Sequence, residues 1–457
     1  ALHVVALGDY LENGFCNLYY LIKEISMSKE ENRKNFSKYV SQNILGMIGF
    51  SCYVLADSYF ISIAKGADGL TALNLVMPLY SIIFSIGEMI GVGSAIRYAI
   101  SKIKKDADAD DYFWNALIWC ILSSMLFVFA GIFFSADIMR VLGADEHIVA
   151  VGNNYTKIFM CFAPMFMCNY VTNAFVRNDG APGIAMSATL FSSLFNIVFD
   201  YILMFPMNLG MEGAALATAL SPIIGMGICS IHFFSKKSSV RLVVCKPSVR
   251  KLVAGSQLGV SAFVGEMSSA VITLAFNFVI LKLAGNVGVA AYGVVANIAI
   301  VTTAVFNGVA QGSQPLISSC FGRGDKDGCT QLKRMGYTTA FVLAAVMYSI
   351  LFIFAGQFVA VFNSEGSEML RLYATEGVKL YFIGIFFAGI NIVGGGAFSA
   401  TEDAFKAAVV SVARGFVLIL GAVFVMSALF GMTGVWLAYA VAEGITTFIM
   451  LVMALRV

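Results

Sequence analysis

Twelve apolar stretches of about 20 residues follow one another along this chain, each long enough to cross a lipid bilayer as a helix. They fall at roughly 40–64, 70–99, 113–134, 153–177, 183–206, 212–235, 256–283, 288–319, 335–362, 372–400, 405–430 and 433–456. In hydrocarbon the backbone N–H and C=O groups find no water, so only helices and closed barrels can span. Composition agrees with spanning helices. Charged residues make up 12 % of the 457 positions and apolar residues 59 %, where a soluble domain carries ~25 % charged residues. The fold class expected is an all-α integral membrane protein with twelve transmembrane helices.

The basic residues orient it. With the N-terminus in the cytoplasm, the segments on that side hold 23 of the 29 Lys and Arg, including Lys29, Arg33, Lys34, Lys38, Arg97, Lys102, Arg177, Lys236, Lys251, Arg323 and Lys406. Lys65, Arg140, Lys157, Lys282, Arg371 and Lys379 remain for the other side. The positive-inside rule therefore predicts both termini in the cytoplasm of a multi-pass membrane protein. The polar stretch 236–255, "KKSSVRLVVCKPSVRKLVAG", reads as a cytoplasmic linker between an N-terminal lobe (36–235) and a C-terminal lobe (256–457). Residues 1–35 read as a peripheral segment. Asp9, Glu12 and Asn13 interrupt its apolar run, Met27 opens a charged one, and the pattern of a secretion signal is missing.

The halves resemble each other. "GLTALNLVMPLYSIIFSIGEMIGVGSAI" (69–96) aligns with "GVAAYGVVANIAIVTTAVFNGVAQGSQPL" (288–316), matching Gly93-Ser94 to Gly312-Ser313 at a shift of 219. "LGMEGAALATAL" (209–220) aligns with "FGMTGVWLAYAV" (430–441) at a shift of 221, and Lys157 with Lys379 at 222. Six spans per half is an even number, so the halves should be related by an axis along the membrane normal. Two such bundles around a central cleft are the architecture of rocking transporters.

Few residues can carry chemistry. Nine Cys stand singly with no CxxC pair, and His3, His147 and His232 are far apart, so neither a metal site nor a disulfide framework is indicated. "GRGDKDG" (322–328) lacks the spacing of a phosphate-binding loop. Without ATP chemistry, transport would be driven by an ion gradient. Acids inside the spans are Asp57, Glu88, Asp200, Glu266 and Glu443, each costing at least about 2.5–3.5 kcal/mol at mid-bilayer. They serve either as ion or proton carriers or as polar cross-links between helices. Asn196 lies four residues before Asp200, on the same helix face. Pro78, Pro164, Pro222 and Pro315 interrupt spans two, four, six and eight and can kink them. Some of the 39 Phe, 22 Met and 18 Tyr would line a cavity, where such side chains accept varied apolar cations.

Four stretches, in order, carry a resemblance. They are "ADSYFISIAKGADGLTALNLVMPL" (56–79), "FVRNDGAPGIAM" (175–186), "NIVFDYILMFPMNLGMEGAALAT" (196–218) and "GVAQGSQPLISSCFGRGD" (308–325). Over roughly 36–457 the chain resembles the multidrug and toxic compound extrusion (MATE) transporters, in their bacterial MepA-like branch. The resemblance implies a V-shaped pair of pseudo-symmetric six-helix lobes around a central cleft. It implies a monomer that exports cationic or amphipathic compounds in exchange for protons or sodium, with no cofactor. It places ion coupling at Asp57, Asn196 and Asp200, with Asn173 as a further member. Glu266 falls within about a turn of a span-seven acid found in some members, and with Glu88 and Asn391 would form a second cation or substrate site. Span ten, "YFIGIFFAGINIVGGGAFSA", has no acid, and Asn391 is its main polar residue. A sodium site there lacks one expected ligand, so proton coupling through the N-terminal lobe is favoured and sodium coupling stays open.

Two other readings compete. A lipid-linked oligosaccharide flippase would line its cavity with several basic residues for a pyrophosphate; within the spans these are chiefly Lys157, Lys379 and Arg414. A receptor or intramembrane enzyme needs no ion pathway, but an enzyme needs a nucleophile with its base, or a metal cluster. The pattern therefore points away from an enzyme and from nucleic acid, toward small-molecule substrates and the bilayer as partners.

Overall fold

Every regular element among the described residues is helical, as lipid requires of a backbone that must satisfy its own polar groups. The computed structural model describes residues 2–241, 243–362 and 367–455, and the side chains of 29–66, 68–241, 243–360 and 367–454. The peripheral role expected of 1–35 falls mostly on side chains outside the described residues.

Nine described helices are long and apolar enough to cross a membrane, and the pair Glu146–Cys161 and Ala163–Asn178, bent by 46°, makes a tenth. Two of the nine are too long for one crossing. Val249–Gly322 has 74 residues, roughly 110 Å if straight, against a hydrocarbon core of about 30 Å. It reverses at Gly285 (φ 63°, ψ −157°), which brings Phe276 back onto Tyr292 with ring centroids 5.0 Å apart. Ala404–Ala454 reverses at Gly431 (φ 58°, ψ −136°). Twelve legs result. They are α1 (Lys29–Gly66), α2 (Asp68–Ile103), α3 (Asp111–Val141), α4 (the bent pair), α5 (Pro182–Met204) and α6 (Gly210–Phe233), then α7 (249–284), α8 (286–322), α9 (Lys326–Ile353), α10 (Glu368–Ala400), α11 (404–430) and α12 (432–454). Helix α1 already runs at Lys29, well before the apolar stretch at 40, because hydropathy marks only the part in lipid. Phe36 and Val40 are buried in the C-lobe core.

The internal repeat reappears in the backbone. Positive-φ residues recur at matched places: Gly66 with Gly285 and Lys105 with Gly324, each 219 apart; Gly210 with Gly431, 221 apart; Gly180 with Glu402, 222 apart. The reversal at Gly66 (φ 58°, ψ −141°) has nearly the torsions of the one at Gly285, a region that a Cβ closes to other residues. The break in α4 before Pro164 is matched by a 3₁₀ turn, Phe382–Gly384, in α10. Pro78, Pro222 and Pro315 lie inside continuous helices.

Each lobe has its own core. Phe113, Phe159, Met167 and Phe175 belong to the first half's, and Phe276, Tyr292, Phe382 and Trp436 to the second's. Large apolar side chains such as Leu126, Phe129 and Phe133 on α3 point outward, as a lipid-facing surface requires. Between the lobes, glycines allow backbone-to-backbone approach. A Cβ on Gly93 of α2 would collide with the backbone of Gly255 and Gly259 of α7, and one on Gly259 with the Met89 carbonyl. On the other side, a Cβ on Gly312 of α8 would lie 2.7 Å from the Val40 Cα, and one on Gly308 2.6 Å from that of Ile44. Gly93 and Gly312 are repeat partners, so the lobes cross at two equivalent points. Both points lie toward the face that carries the basic segments, here called the basic face.

Candidate functional site

Two cavities meet above the glycine crossings. The first, partly open to solvent, is lined by α1, α2, α4, α5 and α6 with Glu266 of α7 and Gln311 of α8. The second lies on the C-lobe side and includes Ser261, Asn307, Gln314, Asn391, Ser411 and Arg414. Glu88, Val92, Glu266 and Gln311 belong to both walls. Glu88 comes from one lobe and Glu266 from the other, close enough for their charges to interact.

A polar relay ties this junction together. Arg177, at the end of α4, is buried. It donates to Asn43 Oδ1 at 3.2 Å and to Gln311 Oε1 of the opposite lobe at 2.6 Å. Gln311 Nε2 in turn donates to Glu88 Oε1 at 3.2 Å. One guanidinium thus holds a side-chain amide that neutralises part of the demand of an acid in the cleft wall. Its Nε has no partner.

Asp57, Asn196 and Asp200 form a different site, inside the N-terminal lobe and behind the first cavity's wall. Asp200 and Asn196 are fully buried and Asp57 is 7 % exposed. With its amide oriented so that the oxygen accepts from Thr218 N and Oγ1 (each 3.2 Å), Asn196 donates Nδ2–H to Asp200 Oδ2 at 3.1 Å. The i, i+4 spacing that brings these two together was readable in the sequence. Asp57 and Asp200 interact electrostatically, and each keeps one buried carboxyl oxygen with no partner, Oδ1. Two unpartnered acceptors at membrane depth are costly unless a proton or a cation satisfies them.

Three tyrosines that the sequence reading did not single out lie close to these acids, and one of them also lines the cleft. Tyr53, one helical turn before Asp57, lines the first cavity and lies within electrostatic reach of Asp57, Asp200 and Glu266. Tyr80 and Tyr155 share a hydroxyl–hydroxyl hydrogen bond near the same two acids.

The remaining expected residues divide. Asn173 lines the first cavity and donates to Ala185 O at 3.2 Å and Thr189 Oγ1 at 3.1 Å; among the described residues no hydrogen bond joins it to Asp57, Asn196 or Asp200. Glu88 and Glu266 meet at the cavity junction. Asn391 lines the second cavity but spends its amide on Glu443, at 2.7 Å from Oε2. Glu443 also receives Arg414, with Nη2 at 2.6 Å from Oε1. Among the described residues no group of three or more His, Cys, Asp or Glu is arranged to hold a metal ion.

On the basic face the lobes are tied by charge as well as packing. Glu402, at the α10–α11 turn, pairs with Arg97 of α2 and with Lys104 at 3.4 Å. Lys251 pairs with Asp111 and, at 3.6 Å, with Asp108.

Comparison with known proteins adds to this geometry. The family model MatE matches residues 43–202 and 262–425, one block in each lobe. The multidrug export protein MepA of Staphylococcus aureus (strain MRSA252) is 27% identical over 414 residues, covering 88% of this chain and 89% of that protein. MepA of Staphylococcus saprophyticus is 26% identical over 409 residues with the same coverage. Among solved structures, an outward-facing multidrug resistance MATE family transporter of the MOP superfamily superposes with a TM-score of 0.87 at 20% identity, over 93% of this chain and 96% of its own. A MOP superfamily transporter from Pyrococcus furiosus, described as having a binding pocket of reversed polarity, gives 0.85 at 20% identity, over 92% and 95%.

Proposed function

Because the chain belongs to the MatE family, we propose that it is a secondary active antiporter exporting cationic or amphipathic compounds in exchange for protons, with sodium as the alternative ion, by alternating access. The observation that carries the reading is the pair Asp57 and Asp200, each with a buried carboxyl oxygen lacking a partner. A proton, or a sodium ion held by Asp57, Asn196, Asp200 and Thr218 oxygens, supplies what those oxygens lack. Ion arrival or departure changes the charge and hydrogen bonding of α1, α5 and α6 together, and these helices also wall the first cavity. The substrate sits between the lobes, where Glu88 and Glu266 provide negative charge and Phe50, Tyr53, Phe84, Phe166 and Tyr170 provide aromatic faces. In the plasma membrane, with both termini cytoplasmic, the basic face is the inner one. The contacts of Gly93, Gly312 and Glu402 then close the inside, and the cleft faces outward. The protein acts as a monomer and uses no cofactor. A flippase is less well supported, since Arg177 and Arg414 are committed to protein partners and do not form a free pyrophosphate cradle.

The test is dye efflux from liposomes under a proton gradient alone and a sodium gradient alone, with wild type and Asp200→Asn. The proposal expects one gradient to drive wild type and the variant to fold but show no gradient-driven efflux. Wild-type rates in Asp200→Asn would remove the switch, and failure of both gradients would remove the antiporter.

A further inference from the structure

We infer that Arg414 is a permanent, covalently attached substitute for a coupling ion in the C-terminal lobe, confining ion exchange to Asp57 and Asp200. The inference rests on the antiport reading above and names which residue limits its ion count.

The two lobes solve one problem differently. Asn196 and Asp200 lie on α5 and Thr218 on α6; in the other half the equivalent helices α11 and α12 carry Arg414, Glu443 and Thr447. Glu443 is 3 % exposed, so its carboxylate also needs a counter-charge. It receives Arg414 Nη2 at 2.6 Å and Nε at 3.1 Å on Oε1, and Nε at 3.3 Å and Asn391 Nδ2 at 2.7 Å on Oε2. Thr447 Oγ1 then donates to Asn391 Oδ1 at 3.0 Å. Both oxygens of this acid are satisfied, whereas Asp57 and Asp200 each keep one bare. An arginine cannot give up its proton at any working pH, and being attached it cannot leave with a transport cycle.

The helix is shaped around this residue. Ala413–Val417 forms a π turn, an inserted residue of the kind that re-aims side chains at functional sites. Arg414 thereby reaches both Glu443 and the second cavity. Beside the pair lie Tyr439, one turn before Glu443 on α12, and Tyr381 of α10, both within electrostatic reach of the two groups. Glu88 and Glu266 share the cavity wall. None of these supplies a second cation, so removing Arg414 leaves Glu443 dependent on a mobile one.

Two independent arms test this in liposomes, reading substrate accumulation against imposed ion gradients. With Arg414 present, Asp57→Asn/Asp200→Asn should move substrate only downhill, with no dependence on either gradient; residual coupling would overturn the inference, because the C-lobe would be taking an ion despite Arg414. In Arg414→Gln with the aspartates intact, the slope of log substrate ratio against log ion gradient should rise by one ion per cycle. A slope equal to wild type would also overturn it. Arg414→Lys keeps the tethered charge and should keep the wild-type slope. If Arg414→Gln does not fold, the aspartate arm decides alone. Absence of coupling in wild type would instead sink the antiporter itself.

Discussion

The Arg97 guanidinium of α2 and the Glu402 carboxylate beyond α10 pair across the lobe boundary, and Glu402 holds φ at 59° where the matched position in the other half is Gly180. A side chain in that region strains the backbone by roughly 1–2 kcal/mol, so the carboxylate is kept at a conformational expense that glycine would avoid. The pair is partly exposed and contributes about 1 kcal/mol at most. Glu402→Gln should therefore shift the balance roughly fivefold toward the state open on the basic face. In a background without native cysteines, Ser313→Cys, 1 % exposed at a lobe crossing, should label correspondingly faster with an impermeant maleimide. Unchanged labelling would rule out a latch. Glu402→Gly should open the same gate without lowering the thermal midpoint.

At the crossings themselves the backbone leaves no room. Gly259→Ala drives a methyl into the Met89 carbonyl, and Gly93→Ala into the Gly255 backbone. Each should destabilise the closed basic face by about 1–3 kcal/mol and raise Ser313→Cys labelling more than Glu402→Gln does. Gly265→Ala on the same helix meets nothing within 4 Å and should be silent in the same assay.

Charge at the cavity junction should select substrates. Replacing Glu88 or Glu266 by Gln removes one negative charge from the wall, worth roughly 1 kcal/mol or more for a nearby cation, about fivefold in Kd. Binding of a monocationic dye, followed by fluorescence polarisation, should weaken by that factor for each variant and more for the double variant. A neutral analogue of the same size should bind all four proteins alike. Equal losses for both ligands would mean that the acids only support the fold.

Beyond the membrane-spanning part, the α1–α2 reversal is tied to α4 by His147 and Asp68, 2.9 Å apart. The hydrogen bond to Asp68, and then its charge, raise the His147 pKa above the ordinary value. The imidazolium's contribution is thus fully present below the unfolded-state pKa and is lost as pH rises through the higher folded-state one. Proton titration of the three histidines by NMR should show His147 high in wild type and back at the ordinary value in Asp68→Asn. A wild-type value no higher than in the variant would discount the contact.

Apolar length revealed the spanning helices because a bilayer imposes that length on any helix that crosses it. The repeat was faint in side chains yet sharp in torsions: Gly66 and Gly285 align only because both must reverse a helix in one residue. At the site, Asn196 and Asp200 were legible together because a helix makes i and i+4 neighbours. Arg177 and Gln311, 134 residues apart, were not, since nothing local marks two side chains that meet only when lobes pack. Arg414 and Glu443 left a weaker trace, one opposite charge on each of two consecutive spans. Weighing Arg414 as a within-span basic residue that a flippase would need, and not against Glu443, concealed it.

Gly66, Gly285 and Gly431 join their legs through a single reversed residue. A connection that short leaves no slack between the legs. If the turn forms as the chain inserts, each pair enters lipid as a hairpin, its two apolar segments released sideways as one piece. For α7 and α8 that piece is 74 residues long. A substitution that stiffens Gly285 into a straight helix would then act at biogenesis, before any transport cycle begins, and would appear as missing protein rather than as slow protein.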